Sequence, residues 1–236
     1  MTAILEGRDL RKAYRGGDGG IIEVLRGVDI TVETGEFVAV TGESGSGKST
    51  LLHLLGALDL PTSGDIRLDG AAYQGFDANG LAELRNRRIG FVFQFHHLLR
   101  DFTAEENVAL PLQISGVAPG QARSRARELL GSVGLGARLT HLPAQLSGGE
   151  QQRAAVARAL AVQPALLLAD EPSGNLDEQN AEQLHGLFSG LAREFRTAMV
   201  IVTHNRSLAA RADRVLSLSE GVLAASAGYG AEVAAP

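Results

Sequence analysis

Short apolar runs alternate with stretches of helical periodicity along most of the chain, and this alternation indicates the fold class. The runs that we predict as strands lie at residues 4–5, 21–25, 28–32, 37–40, 166–168 and 199–202. The run at 37–40 is continuously apolar between glycines, which is typical of a strand buried on both faces. Because helical segments separate the later runs, we predict an α/β fold built on a parallel sheet.

The middle of the chain, from about residue 104 to residue 160, has helical rather than strand periodicity. Its clearest apolar stripe consists of Ala122, Ala126, Leu129, Leu130 and Val133. The arginines between these positions fall off the stripe and are expected to face water. The pattern therefore predicts an α/β core with a helical insertion, followed at the C-terminus by a flexible tail rich in alanine and glycine.

The composition limits the partners and the location. The net charge is −5 and the pI is about 5.7, which argues against nucleic acid as a partner, because duplex-binding domains usually carry a basic patch. No run reaches the roughly 18 apolar residues of a membrane span. Glu6, Arg8 and Asp9 occupy positions that a signal peptide would keep apolar, and cysteine is absent. We therefore expect a cytosolic protein that contacts a membrane only through a partner.

The strand at 37–40 leads into a segment that matches the phosphate-binding pattern G-x-x-x-x-G-K-[ST] in full. Its glycines permit a tight turn that aims backbone N–H groups at phosphates, and the helix that follows offers its N-terminus to the same anion. Lysine occurs in the chain only at Lys12 and Lys48, so its presence in the motif indicates a need for a compact ammonium. The Ser49 hydroxyl is the expected Mg²⁺ ligand. A connecting Gly/Ser loop is the alternative, with a chance match on the order of one per cent. The residues predicted to hold the nucleotide phosphates are Gly42, Glu43, Ser44, Gly45, Ser46, Gly47, Lys48, Ser49 and Thr50.

Two adjacent carboxylates follow the apolar strand at 166–168. Asp170 stands where a strand-end carboxylate would hold Mg²⁺, and Glu171 comes directly after it. Such a pair can simply be the polar end of a strand. Beside a phosphate loop we expect a division of labour, with Asp170 on the metal and Glu171 polarising the attacking water.

A second glycine-rich helix start narrows the class of nucleotide-binding protein. Ser147, Gly148 and Gly149, within the sequence Leu-Ser-Gly-Gly-Glu-Gln, open a predicted helix and resemble the signature of ATP-binding cassette (ABC) proteins. One subunit does not need two phosphate cradles. Two subunits arranged head to tail do, because each ATP is then held between the phosphate loop of one and the signature of the other.

The remaining motifs of the ABC family follow in the family's order. The resemblance implies that Gln94 contacts Mg²⁺ and the water, that residues 173–177 form the loop crossing the dimer interface, that His204 contacts the γ-phosphate and that Tyr14 stacks on adenine. Taken singly, His204 could be a core histidine and Tyr14 a surface aromatic. Three other histidines, His53, His141 and His185, are isolated in the sequence and receive no role.

The ABC resemblance implies the fold in more detail. It predicts an α/β P-loop NTPase (RecA-like) core with an antiparallel β subdomain and an inserted α-helical subdomain. The expected boundaries are 1–94 and 162–224 for the core, 95–161 for the helical insertion with the signature, and 225–236 for the tail. The implied activity is hydrolysis of ATP to ADP and phosphate with Mg²⁺.

The segment at residues 94–112 refines the resemblance. It is similar to the ATPase subunits of lipoprotein-releasing transporters, and Phe95-His96-His97 is its most discriminating part. Other agreeing positions are shared with macrolide-exporter-type ATPases. The resemblance has departures, since Arg100 stands where proline is usual, Ser173 where threonine is usual, and Glu43 places a carboxylate beside the phosphate loop.

These similarities imply partners and a location. We expect a homodimer at the cytoplasmic face of a bacterial inner membrane, bound to two integral membrane permease subunits, and driving lipoprotein release towards the outer membrane. Docking is expected near Phe95, Leu98, Leu99 and Phe102, with packing inside the helical insertion as the alternative. The alternative functions are an exporter-type or cell-division-type ATPase and a soluble ABC regulator.

Overall fold

The computed structural model describes residues 2–17 and 19–226, and these residues form ten strands and seven α-helices. The strands are β1 (Ala3–Arg15), β2 (Ile21–Glu33), β3 (Phe37–Thr41), β4 (Ser63–Leu68), β5 (Ala71–Ala72), β6 (Ile89–Val92), β7 (Leu166–Asp170), β8 (Ala198–Val202), β9 (Arg214–Ser219) and β10 (Val222–Ala225). The helices are α1 (Lys48–Leu55), α2 (Ala78–Arg88), α3 (Ala104–Ile114), α4 (Pro119–Ser132), α5 (Gly148–Leu160), α6 (Glu178–Phe195) and α7 (Arg206–Ala209).

The N-terminal strands belong to a four-stranded antiparallel sheet in the order β2-β1-β4-β5. The prediction of separate strands at 21–25 and 28–32 is wrong, because both runs lie in the single strand β2. Gly27 between them has a φ of 94°, and the register with β1 shifts there. The glycine therefore accommodates an irregularity in a continuous strand and does not end the strand.

The second sheet has six strands in the order β10-β9-β3-β8-β7-β6. Each neighbouring pair from β9 to β6 is parallel, and only β10 runs antiparallel. The predicted α/β fold with a parallel sheet is confirmed, and β3 is central and buried from Phe37 to Val40 as expected. Parallel strands bring their carboxyl ends to one edge, so the segments that follow β3, β7 and β8 meet there.

Helices α3, α4 and α5 pack around a hydrophobic cluster of their own. The apolar stripe predicted between 122 and 133 lies entirely in this cluster. Helix α3 starts at a capping box, in which the Thr103 hydroxyl accepts from the Glu106 N–H and the Glu106 carboxylate accepts from the Thr103 N–H. Helix α5 also lies against β6 of the core. A Cβ on Gly90 would come within 2.4 Å of the Ala159 carbonyl oxygen, so the absence of a side chain permits this close approach.

The structure describes only the start of the predicted C-terminal tail. Of the predicted tail, 225–236, residues 227 onward lie outside the described residues, while Ala225 ends β10. Among the described helices, none combines the length and apolar character that crossing a bilayer requires.

Candidate nucleotide site

The segments that follow β3, β7 and β8 enclose a cavity of about 580 Å³ at the carboxyl edge of the six-stranded sheet. Its lining consists of Val24, Gly42, Ser44, Gly45, Gly47, Lys48, Ser49, Thr50, Gln94, Asp170, Glu171 and His204. Apart from Val24, every one of these is a residue singled out from the sequence. The fold therefore collects the phosphate loop, both carboxylates, the glutamine and the histidine around one space.

The phosphate loop joins β3 to α1 through backbone conformations that favour glycine. Gly42 has a φ of 151° and a Cβ there would lie 2.2 Å from the Leu218 carbonyl oxygen, while Gly47 has a φ of 102°. No side chain caps α1, so its first N–H groups are available to an anion in the cavity. The Lys48 ammonium donates to the carbonyl oxygens of Gly42 at 2.9 Å and Glu43 at 2.7 Å, which holds it across the loop.

Glu171 has the most hydrogen bonds of the acidic residues in the cavity. Its carboxylate accepts from the Thr203 hydroxyl at 3.1 Å, from the His204 backbone N–H at 3.0 Å and from His204 Nδ1 at 2.8 Å. Its own N–H donates to the Val202 carbonyl at the end of β8, and its φ is 45°. The carboxylate is therefore fixed between β7 and β8 and is mostly shielded from solvent.

Gln94 is tied to the loop at 173–177. Its side-chain amide donates to Asn175 Oδ1 at 3.2 Å, and the Asn175 amide donates back to the Gln94 carbonyl at 3.2 Å. A Cβ on Gly174 would lie 3.0 Å from Gln94 Nε2, so the two segments pack closely. The sequence analysis placed Asn175 in the loop at the dimer interface but did not predict its bond with Gln94, because 81 positions separate the two residues.

The signature residues Ser147, Gly148 and Gly149 do not line this cavity. They begin α5, where the Ser147 hydroxyl caps the helix in a reciprocal capping box with Glu150. The Ser147 N–H and Arg138 hold the pKa of Glu150 below its usual value. A Cβ on Gly149 would lie 2.4 Å from Asn180 Oδ1, so this glycine allows close contact with α6.

Tyr14, Glu43 and Ser46 also lie outside the cavity lining. Glu43 and Ser46 line an adjacent depression that residues 217–220 complete. The Tyr14 hydroxyl donates to Asp59 at 3.1 Å, and the Lys12 ammonium lies 5.0 Å from the centre of the Tyr14 ring and donates to the same carboxylate at 2.7 Å. The cation and the carboxylate thus fix the ring on β1, next to the strand that carries Val24.

The segment after Gln94 carries three of the four predicted docking residues at the surface. Phe95 is 64% exposed, Leu99 44% and Phe102 37%. Leu98 is only 5% exposed and packs in the helical cluster, so the core alternative holds for this residue. Arg158 of α5 fixes the segment by donating to the carbonyls of His96 at 2.9 Å and His97 at 2.7 Å.

One buried histidine lies close to Glu171 and His204, and the sequence analysis gave it no role. His185 of α6 is 1% exposed, and its ring nitrogens contact the hydroxyls of Ser173 at 2.9 Å and Ser207 at 3.1 Å. Burial lowers the pKa of His185, and Arg211 acts in the same direction, while Glu182 opposes them. The sequence could not reveal this contact, because neither serine is a neighbour of His185 along the chain.

The profile of the ABC transporter family matches residues 25–174, which is well over half of the chain. The chain therefore belongs to the ABC transporter family, whose ATP-binding cassettes bind and hydrolyse ATP, and the predicted ABC ATPase class is confirmed. Within the family, the chain resembles the lipoprotein-releasing system ATP-binding protein LolD. It is 52% identical to LolD of Psychrobacter arcticus over 94% of this chain and 98% of the relative. It is 53% identical to LolD of Bordetella avium over 94% and 96% of the two chains.

Solved structures agree with the fold. The dimeric structure of MJ0796, a bacterial ABC transporter cassette, has a TM-score of 0.86 at 39% identity and covers 93% of this chain and 96% of its own. A dimeric post-hydrolysis state of MJ0796 bound to ADP and Pi has a TM-score of 0.85 at 38% identity, with the same coverage. The predicted ABC ATPase fold is therefore confirmed.

Proposed function

We propose that this chain is the ATP-hydrolysing subunit of a transporter that releases lipoproteins from the inner membrane towards the outer membrane. The observation that carries the proposal is that Lys48, Asp170, Glu171 and His204 line one shared cavity. About half of the residues of the chain are also identical to those of LolD proteins. The cavity supports the chemistry, and the resemblance to LolD supports the cargo.

The phosphates of ATP are proposed to bind at the turn between β3 and α1. The loop offers backbone N–H groups and the uncapped helix N-terminus, both of which favour anions. Lys48 has three N–H donors, and two of them already bond to loop carbonyls. The third can therefore bond to a phosphate oxygen while the other two keep the side chain in place.

The oxygen donors in the cavity fit a magnesium ion. Ser49, Gln94 and Asp170 contribute a hydroxyl, an amide carbonyl and a carboxylate to the same space, and Mg²⁺ prefers oxygen ligands of this kind. We propose that these three side chains hold the ion, directly or through water. The ion would neutralise charge on the phosphate oxygens.

Water activation is assigned to Glu171. A general base needs an acceptor oxygen at the cavity and a fixed orientation, and the contacts with Thr203 and His204 supply the orientation. The ionised Glu171 carboxylate accepts from His204 Nδ1, and Nε2 takes no part in this bond; when Nε2 also carries a proton, it can donate to a phosphate oxygen. Glu171 thus acts on the water while His204 acts on the γ-phosphate.

The position of the signature favours a head-to-tail homodimer. Ser147, Gly148 and Gly149 start a helix outside the cavity of their own subunit, so this helix N-terminus, which favours anions, does not contribute to the ATP site of that subunit. In the proposed dimer they complete the ATP site of the partner subunit. The dimeric MJ0796 cassettes, which share this fold, support that arrangement.

The membrane subunits are proposed to dock on the surface formed by Phe95, Leu99 and Phe102. Three large apolar side chains that are exposed within eight consecutive positions are typical of an interaction site. Through this contact the chain would be a peripheral protein on the cytoplasmic face of the inner membrane. Dimer closure on ATP would then move two permease subunits, and hydrolysis would reset them.

The test is recovery of partners from the membrane. Tagged Glu171→Gln chain is captured from detergent-solubilised inner membrane with Mg-ATP present, because blocked hydrolysis should preserve the closed assembly. We expect two related integral membrane subunits together with lipoproteins. Glu128→Gln, on an exposed carboxylate of α4, is the matched control and should capture less in the presence of ATP.

The other outcomes separate the alternatives. Capture of a permease without lipoproteins would assign the motor to an exporter-type or cell-division-type system. Capture of no membrane protein, with ATP hydrolysis intact in the wild type, would favour a soluble ABC regulator and contradict the transport proposal.

A further inference from the structure

His185 joins two loops that border the hydrolysis site. Its Nε2 lies 2.9 Å from the Ser173 hydroxyl, in the segment that follows Glu171, and its Nδ1 lies 3.1 Å from the Ser207 hydroxyl, in α7 just after His204. His185 and Ser173 are both buried. A buried imidazole that bonds to a different segment through each nitrogen fixes the distance between those segments.

The bridge continues by hydrogen bonds to the Glu171 carboxylate. The Ser207 hydroxyl donates to Asn205 Oδ1 at 3.0 Å, the Asn205 N–H donates to the Thr203 hydroxyl at 3.0 Å, and that hydroxyl donates to Glu171 Oε2 at 3.1 Å. On the other side, the Gly174 N–H next to Ser173 donates to the Glu171 carbonyl at 3.0 Å. Glu171 is therefore held at both its side chain and its backbone by a network that closes through His185.

The donor directions in this network define one tautomer. The single proton of the Ser207 hydroxyl goes to Asn205, so this oxygen accepts from His185 Nδ1–H. Nε2 of the neutral ring then has only a lone pair, and the Ser173 hydroxyl donates to it. Burial favours this neutral form, and the charged groups facing the ring, Glu182 on α6 and Arg211 beyond α7, act in opposite directions.

We propose that His185 is a positioning residue for ATP hydrolysis, which holds the segment at 173–177 and the segment at 204–207 in register around Glu171. The proposal rests on the proposed function, in which Glu171 activates the water. His185 does not line the proposed ATP cavity; it lines a neighbouring depression, which Glu171 and His204 also border. It should therefore affect the turnover rate and leave the affinity for ATP unchanged.

The experiment compares three replacements in the full-length chain. His185→Phe keeps the ring volume and removes both bonds. His185→Gln places its amide near the Nε2 position and can still bond to Ser173, whereas His185→Asn places its amide near Nδ1 and can still bond to Ser207. Phosphate release against ATP concentration gives kcat and KM for each variant, and thermal unfolding without nucleotide gives its stability.

We expect His185→Phe to lower kcat about 10-fold to 100-fold, the scale of a misplacement remote from the reacting atoms, with KM within about twofold of wild type. Gln and Asn should each recover part of the lost kcat. The matched control is Ser189→Ala on the same helix, which removes a hydroxyl that donates to the His185 carbonyl at 3.1 Å without contacting the imidazole, and should leave kcat unchanged.

Several results would overturn the proposal. One is a wild-type kcat for His185→Phe. Another is an equal loss of kcat in all three variants. A third is a loss of kcat that is matched by a rise in KM or by a fall in the melting temperature. Failure of the proposed function looks different, because then the wild type would release no phosphate from ATP, or Glu171→Gln would release it at the wild-type rate.

Discussion

Replacing Glu171 by glutamine removes the proposed base while keeping most of its contacts. Carboxylate Oε1 accepts from the His204 N–H at 3.0 Å and from His204 Nδ1 at 2.8 Å, and the amide oxygen of glutamine can take the same place; only the longer contact of the His204 N–H with Oε2, at 3.3 Å, is lost. The amide nitrogen then faces the Thr203 hydroxyl, 3.1 Å from Oε2 in the native chain, and this hydroxyl has a lone pair with which to accept. The substitution therefore changes the chemistry with little disturbance of the fold.

The expected effect on the rate follows from the role of the base. A positioned general base contributes about 10²-fold to 10⁴-fold, which corresponds to about 3–5 kcal/mol of activation free energy. Phosphate release at saturating Mg-ATP should fall by that factor. The dissociation constant for ATP should stay within about threefold of wild type, because no phosphate contact is lost.

The assay combines steady-state phosphate release, nucleotide binding and size-exclusion chromatography. With ATP present, Glu171→Gln should accumulate as a dimer, since ATP binds but is not consumed. Glu128→Gln removes an exposed carboxylate that pairs with Arg125 at 3.2 Å, and it should behave as wild type. Phosphate release by Glu171→Gln within threefold of wild type would refute the assignment of the base. Loss of ATP binding would refute the argument that the fold is preserved.

Three further substitutions test the adenine contact, the docking surface and the packing of the core. Tyr14→Ala should raise KM for ATP about 5-fold to 100-fold, the value of one aromatic–base stack, with kcat retained; an unchanged KM in steady-state assays would remove Tyr14 from the site. Phe95→Asp places a charge on a side chain that is 64% exposed, so stability should change by less than about 0.5 kcal/mol while co-purification with membrane subunits is lost; retained co-purification would place docking elsewhere. Gly90→Ala puts a Cβ within 2.4 Å of the Ala159 carbonyl oxygen and should lower the free energy of unfolding, measured in urea, by about 1–3 kcal/mol. An unchanged urea midpoint would contradict this expectation.

The predictable part of the fold was the part in which burial leaves a local pattern. Strand β3 is buried from Phe37 to Val40, and this appears in the sequence as an unbroken apolar run. The stripe in α4 appears as a period of three to four residues. In both elements, the apolar side chains that produce the sequence pattern are the same side chains that pack in the core. The pattern therefore predicts the element without knowledge of its distant partners.

Elements that depend on distant pairing were not predictable in this way. The sequence analysis predicts no strand at Arg214–Ser219, yet β9 pairs with β3, which lies more than 170 positions earlier. Its first residue also makes polar contacts with Glu36 and with the carbonyl of Thr31. The continuity of β2 through Gly27 likewise depends on its pairing with β1, which no local signal at a glycine reveals.

The candidate site also has a part that the sequence predicts and a part that it does not. Motif spacing identified the residues that line the cavity, because the loop at 42–50 and the pair at Asp170 and Glu171 are each contiguous in sequence. The residues that orient them were missed. His185 finds its partners 12 and 22 positions away, and the bond between Gln94 and Asn175 spans 81 positions. Side chains that orient others leave no sequence pattern, since only the fold brings them together.

The bonding of the two central side chains indicates a site that is organised before ATP arrives. Lys48 uses two of its three donors on the carbonyls of Gly42 and Glu43, so a phosphate can engage the third without dismantling the loop. Glu171 accepts from His204 on Oε1, and on Oε2 it accepts from the Thr203 hydroxyl and, at a longer 3.3 Å, from the His204 N–H, so its carboxylate has a fixed orientation before the water binds. Groups that need not reorient when charge develops contribute more to the rate than groups that must first break other contacts. The catalytic effect of this site therefore depends on the hydrogen-bond network that fixes Glu171, and substitutions in that network should lower turnover before they lower ATP affinity.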